Sequence, residues 1–288
     1  SQIGLFKDWD SGYGNDTIII EVIDDSFDPT HPEFKGKFVK SWNVVDYNSS
    51  VNKNQNNFHG THVAGTIGAD MNNGSGISGV APNCKLMPIQ IADKNGYMSI
   101  TSIIDAIFYA LKNDADVINL SLGIDMQHLS MLGENEQKAI EENSNLEEAE
   151  MWNDIYEIAN KENVIIVQAA GNSATIAGMD PMKRSLNSIV VGAVDKDKKP
   201  AEFTNYGHAV MVYAPGVEIY SSMPDNEMGY LDGTSMACPI VAGCVALAKS
   251  KKPDISTTEL LELISSTGEN ISIGNGTLIR IDKILDKL

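Results

Sequence analysis

Thr17-Ile-Ile-Ile-Glu-Val-Ile23 is an almost unbroken apolar run, and Asp24-Asp25-Ser26 follows it directly. Its length and β-branched content describe a strand, and continuous rather than alternating apolarity puts apolar layers on both of its faces. Lys85–Ala92, Asp116–Leu122, Val164–Ala169 and Ser188–Val194 read the same way. Between such runs, Ser99–Leu111 places Ile100, Ile103, Ile104, Ile107 and Phe108 at one-face helical spacing. Alternation of strand and helix predicts an α/β fold: a mostly parallel sheet covered on both faces, with functional residues beyond the carboxyl ends of the strands.

The whole chain obeys that pattern. It has 288 residues, of which 42% are hydrophobic, and neither an internal repeat nor a Pro/Ser-rich linker divides it. The expectation is one domain over 1–288. Acidic residues outnumber basic ones 39 to 21, giving a formal charge of −18. Such a surface repels phosphate backbones and anionic lipid, so nucleic acid is not an expected partner, whereas basic peptides are attracted. No apolar run is long enough to span a membrane. No targeting leader opens the chain, so cytoplasmic and secreted locations both stay open, the second with a leader and a pro-segment outside this chain. Cys84, Cys238 and Cys244 are too few for a disulfide scaffold and show no CxxC spacing.

Three short motifs carry chemistry. Asp24 ends a buried strand; alone it would read as a turn-former. His59-Gly-Thr-His-Val-Ala-Gly65 opens a run of small and apolar residues suited to a packed helix, with His59 in the first turn. There the helix dipole disfavours the imidazolium and helps a base stay neutral. Gly233-Thr-Ser-Met-Ala-Cys-Pro239 precedes the apolar helix Ile240–Ala248, and Pro239 is expected to mark that helix's first turn. Ser235 would then sit at the helix entry beside unpaired N–H groups. A serine there is commonly only a cap. Together, however, the three supply what an alcohol nucleophile needs: a base to take its proton and a carboxylate to orient the base.

These motifs, in the order Asp…His…Ser, and with Ala169-Ala-Gly-Asn172 as a fourth match, resemble the subtilisin (subtilase) family of serine proteases from Gly12 to about Gly276. The resemblance implies a three-layer α/β/α fold and a serine endopeptidase acting through an acyl-enzyme, with Asp24, His59 and Ser235 as triad and Asn172 as oxyanion donor. It implies that a peptide or protein substrate binds as an extended strand against Ser121, Leu122 and Gly123, with Asn95 and Gly96 on the opposite edge. Ala169, Ala170 and Gly171 would form a wall of the pocket for the residue before the cut. It also implies calcium as a structural ion, with Glu33 and Asn73 as ligands near the loop Met71–Ile77. At Met211, where the family's weaker site uses an Asp, no metal is expected.

The stretch of about 124–162 is some twenty residues longer than in small secreted members of that family, and it is acidic; only Lys138 and Lys161 oppose its carboxylates after residue 134. An apolar stripe at Trp152, Ile155, Tyr156 and Ile158 predicts that its second half is a helix. This insertion, with Asp180 near the expected first pocket, suggests a processing protease that prefers Lys- or Arg-bearing substrates. The competing reading is a catalytically inactive fold of the same family serving as a binding module. A dinucleotide fingerprint at Gly74–Gly79 fails because its glycines follow a helix pattern and precede a strand. His59-x-x-His62 lacks the glutamate and spacing of a zinc peptidase, so His62 reads as a buried structural histidine. His31, His128 and His208 read as surface or loop residues.

Overall fold

A computed structural model describes residues 2–5, 13–53, 57–271 and 276–288. In chain order its main elements begin with β1 (Ile19–Asp24), β2 (Trp42–Asn43), α1 (His59–Gly68), β3 (Lys85–Gln90), α2 (Ile100–Lys112) and β4 (Val117–Leu120). Then come α3 (Glu134–Asn143), α4 (Leu146–Lys161), β5 (Ile165–Ala169), β6 (Ile189–Val194), β7 (Val212–Pro215), β8 (Ile219–Met223) and β9 (Glu227–Leu231). The chain closes with α5 (Thr234–Lys251), α6 (Thr257–Thr267), β10 (Glu269–Asn270), β11 (Thr277–Leu278) and α7 (Ile281–Leu285).

Among the described residues nine strands form one sheet in the order β10-β11-β7-β6-β5-β4-β1-β3-β2. All its pairings are parallel except β10 with β11. β8 and β9 make a separate hairpin. The two faces of the sheet are both apolar because successive residues point opposite ways. From β1, Ile20 and Val22 join α1 and α5 in one core, whereas Ile23 joins α2 and α4 in the other. This is the three-layer α/β/α arrangement. Glu21, in the middle of β1, is fully buried, and burial raises its carboxyl well above the ordinary range.

Each predicted strand is present with ends moved by one or two residues; all shifts are trims except that β1 runs one residue further, to Asp24. Asp24 is the last residue of β1, and Ser99 caps α2 by accepting the N–H of Ser102. Two local readings differ from the structure. Trp152, Ile155 and Tyr156 are buried as the stripe predicts, but Ile158 is 41% exposed, and the charged first half of the insertion is also helical, as α3.

The second difference is the start of α5. The helix begins at Thr234, so Pro239 lies inside it, not in its first turn. Proline cannot supply the N–H that would bond the carbonyl four residues back, which is that of Ser235. The Ser121 hydroxyl takes over this task, donating to Ser235 O at 3.0 Å. A side chain just beyond β4 therefore makes the proline tolerable, which the local sequence could not reveal.

Candidate active site

Because β1, β4 and β5 run parallel, their carboxyl ends share one edge of the sheet. Asp24, Ser121–Gly123 and Ala169–Asn172 all emerge there, and the first turns of α1 and α5 face them. Between them lies a cleft of about 340 Å³ lined by Asp24, His59, Ser121, Leu122, Gly123, Ala169, Gly171, Asn172 and Ser235. Met98, Ile124 and Asp125 complete part of its rim.

Asp24 Oδ1 lies 2.8 Å from His59 Nδ1, and it also accepts the N–H of Asp25 at 2.8 Å. The carboxylate is almost wholly buried, while 30% of the imidazole is exposed to the cleft. Burial alone would disfavour the imidazolium. The charge and hydrogen bond of Asp24, with the charge of Asp25, outweigh that and raise His59 to about 9. His62, one turn on, is buried and is lowered to about 4, first by desolvation; its Nε2 donates to Ile219 O at 2.9 Å. It is a neutral structural histidine.

Ser235 sits in the first turn of α5, where backbone N–H groups have no helical acceptor. Its hydroxyl donates to Ser121 O at 3.1 Å. Asn172 is oriented by Thr234, whose N–H and hydroxyl donate to Asn172 Oδ1 at 2.8 and 2.9 Å. With its oxygen held in this way, the Asn172 amide turns its Nδ2 donors outward. The same Thr234 hydroxyl accepts the N–H of Gly171 at 3.1 Å, so one fully buried threonine fixes both the wall and the amide. Thr234 lies inside the quoted motif, yet its task depends on a contact with the loop that follows β5, which is not visible locally.

Several expected residues lie elsewhere. Asn95 and Gly96 form a turn around Asp93, whose carboxylate accepts the N–H groups of Asn95 and Tyr97; neither lines the cleft, and Met98 does so in their place. Ala170 faces the opposite way from Ala169, into a cluster with Val190 and Tyr213. Asp180 carries no free charge to the pocket. It is 1% exposed, lies 3.9 Å from the equally buried Lys183, and accepts the N–H groups of Met182 and Ile124. His31 is buried rather than superficial: its Nε2 donates to Glu227 O and its Nδ1 accepts the N–H of Glu33. His128 and His208 are exposed.

The residues expected to bind calcium do not fit an ion as they stand. Glu33 is buried and accepts from the Asn73 amide at 3.0 Å, and the Ile77 N–H is a further donor to it. Asn73 Oδ1, the oxygen a cation would need, accepts the N–H of Ser75. The carboxylate thus already has N–H partners. Among the described residues no group of three or more His, Cys, Asp or Glu side chains is arranged to hold a metal.

The insertion braces the cleft from behind. Gln137 of α3 accepts the N–H of Ile176, Arg184 donates to Ser144 O, and Met126 N–H donates to Ser173 Oγ. Leu129 and Ile140 pack on Met126, Ile176 and Met179. The segment following Asn172 is therefore held by the insertion.

The sequence pattern of the Subtilase family matches residues 15–278. A thermophilic serine proteinase of Bacillus sp. (strain AK1) is 39% identical over 276 residues, 96% of this chain. The chain spans 62% of that relative's length. Thermitase of Thermoactinomyces vulgaris is 35% identical over 271 residues, covering 93% of this chain and 86% of thermitase. Among solved structures, a cold-adapted subtilisin-like serine proteinase superposes with a TM-score of 0.74 at 28% identity, over 92% of this chain and 90% of that one. A protease from Pseudoalteromonas arctica PAMC 21717 superposes with a TM-score of 0.79 at 26% identity, over 99% and 94% of the two chains.

Proposed function

The chain belongs to the subtilase family, and on that premise we propose that it is a serine endopeptidase in which Ser235 is the nucleophile, His59 the base, Asp24 its orienter and Asn172 the oxyanion donor. The observation that carries this reading is the pairing of His59 Nδ1 with Asp24 at 2.8 Å, in one cleft with a serine at a helix N-terminus. Asp24 fixes the tautomer, so Nε2 is the free base. Ser235 Oγ rotates away from Ser121 O, gives its proton to His59 Nε2 and attacks the substrate carbonyl carbon. The oxyanion accepts from Asn172 Nδ2 and the Ser235 N–H. The tetrahedral intermediate collapses as the imidazolium protonates the departing amine, leaving an acyl-enzyme. Water then attacks with His59 again as base, and Ser235 is released.

Substrate lies as an added strand along Ser121–Gly123, where the backbone continues beyond β4. We propose residues 1–288 as one catalytic domain whose insertion shapes the cleft, and a processing role with preference for Lys- or Arg-bearing substrates. Support for that preference comes from Asp125 on the cleft and the overall charge of −18, not from Asp180.

One observation favours the second reading, an inactive binding module: the Ser235 hydroxyl donates to Ser121 O and not to His59. Labelling with a fluorophosphonate probe decides between them. The folded protein should label at Ser235, with S235A and H59A silent. Absence of labelling in folded wild type supports the binding module.

A further inference from the structure

We propose that Asp25 is a positioning residue for the base: its carboxylate caps the helix that carries His59 and so holds the imidazole against Asp24. This inference rests on the serine-protease reading of the cleft.

Helix α1 begins at His59, and Phe58 before it has no side chain able to cap it. Its first turn also contains no acid. The N–H groups at such an end need outside acceptors. Asp25 supplies them from the end of β1. Its Oδ1 accepts the N–H of Gly60 at 2.9 Å, and its Oδ2 accepts the N–H of His59 at 3.3 Å. Oδ1 also takes the N–H of Ser26.

Two neighbouring carboxylates therefore hold one histidine by different parts. Asp24 holds the ring at Nδ1, and Asp25 holds the backbone. Because the Asp25 N–H donates to Asp24 Oδ1, the three contacts close a ring through Asp24, His59 and Asp25. The approach has no slack. A Cβ at Gly60 would lie 2.5 Å from Ser26 O and 2.9 Å from Asp24 Cβ, so α1 sits as close to β1 as backbone allows.

The cleft location of Asp25 invites a different role, direct binding of a basic substrate side chain. The geometry points away from it, since both oxygens are engaged by backbone N–H groups. Among the described residues the charged groups acting on Asp25 are Asp24 and His59; His62, the other titratable group of α1, is neutral and faces β8. Burial and the Asp24 charge raise Asp25 to about 6, against the Gly60 N–H, His59 and the Ser26 N–H. Above that range the cap is a charged acceptor, and its charge adds to that of Asp24 in favouring the imidazolium.

The test compares wild type, D25N and D25S on two peptides that differ only in carrying Lys or Phe before the cut, across a pH series. D25N keeps one acceptor and loses the charge; D25S loses the reach as well. Native melting profiles establish that each variant is folded, and D25N alone suffices if D25S does not fold. The expected order of kcat is wild type above D25N above D25S, with losses of about 10- to 100-fold on both peptides, since small displacements of a base cost that much. KM stays within about twofold, because uniform binding is untouched. The acid limb of kcat/KM moves to lower pH by about one unit in D25N, as one anion near the imidazole is removed. Unchanged kcat with an unmoved acid limb overturns the proposal, and so does an effect confined to KM for the Lys peptide. A folded wild type that neither labels with fluorophosphonate nor cleaves either peptide overturns the protease reading beneath it as well.

Discussion

Lys183→Met isolates a buried ion pair beneath the substrate strand. The Lys183 ammonium lies 3.9 Å from Asp180 Oδ2, with both side chains at most 2% exposed. It also donates to Leu122 O and to Gln168 Oε1, each at 3.0 Å. At the separation of this pair an effective dielectric near 20 corresponds to about 4 kcal/mol of attraction. Removing one member of such a pair leaves a buried charge uncompensated, and the expected loss of stability is about 3–5 kcal/mol. The second substitution D180N should recover part of it, since the stranded charge is then gone. Urea unfolding followed by tryptophan fluorescence measures both, in an S235A background to prevent self-cleavage. A functional arm follows from position: a Cβ at Gly123 would lie 3.4 Å from Asp180 Oδ2. Uncovering that charge should raise the ratio of kcat/KM for Lys over Phe before the cut. A stability loss below about 1 kcal/mol, the value of an exposed pair, would refute the reasoning.

Glu21 has no hydrogen-bond partner for either oxygen among the described residues, and its folded pKa is raised by burial. The sign follows: its contribution is fully present below the unfolded carboxylate range and is lost as pH rises toward the folded value. E21Q should flatten the decline of melting temperature from acid to alkaline pH; parallel profiles for the two proteins would exclude this. With His59 raised to about 9, the neutral base accumulates only on the alkaline side, so kcat/KM should climb through pH 8–9; a plateau already reached at pH 7 would contradict it. Asn172→Leu removes the amide held outward by Thr234 and should lower kcat by about 10²–10³ with little change in KM. Because Glu33 and Asn73 already have protein partners, a chelator should shift the melting temperature by less than about 2 °C, which corresponds to about 1 kcal/mol at this chain length. A larger fall would show that an ion holds the loop.

What was legible in the sequence were features written in consecutive residues. The apolar run before Asp24 announced both the strand and the layered sheet, and the small residues after His59 announced a tightly packed helix. Asn172 and Ser235 were conspicuous because their motifs are short and local. What stayed hidden depends on partners far along the chain. The start of α5 was misplaced because the hydroxyl that excuses Pro239 is 118 residues earlier, at Ser121. Asp180 looked like a pocket charge because nothing local says that Lys183 folds back over it. His31 looked superficial because the Glu227 carbonyl that buries its ring belongs to the distant β8–β9 hairpin. Helix α3 was invisible to periodicity: its buried positions are the polar Gln137 and Glu141, which face the wall of the cleft and not an apolar core.

The reciprocal pairing of Ser121 and Ser235, each hydroxyl on the other's carbonyl, couples position 121 to position 239. A hydroxyl at 121 permits proline at 239; a residue with an N–H at 239 removes that demand on 121 but leaves the Asn119 amide, whose N–H the same hydroxyl accepts at 2.9 Å. Among related chains the two positions should therefore drift together. In design, S121A should be costly alone, and P239A should recover only the part due to the missing donor to Ser235 O.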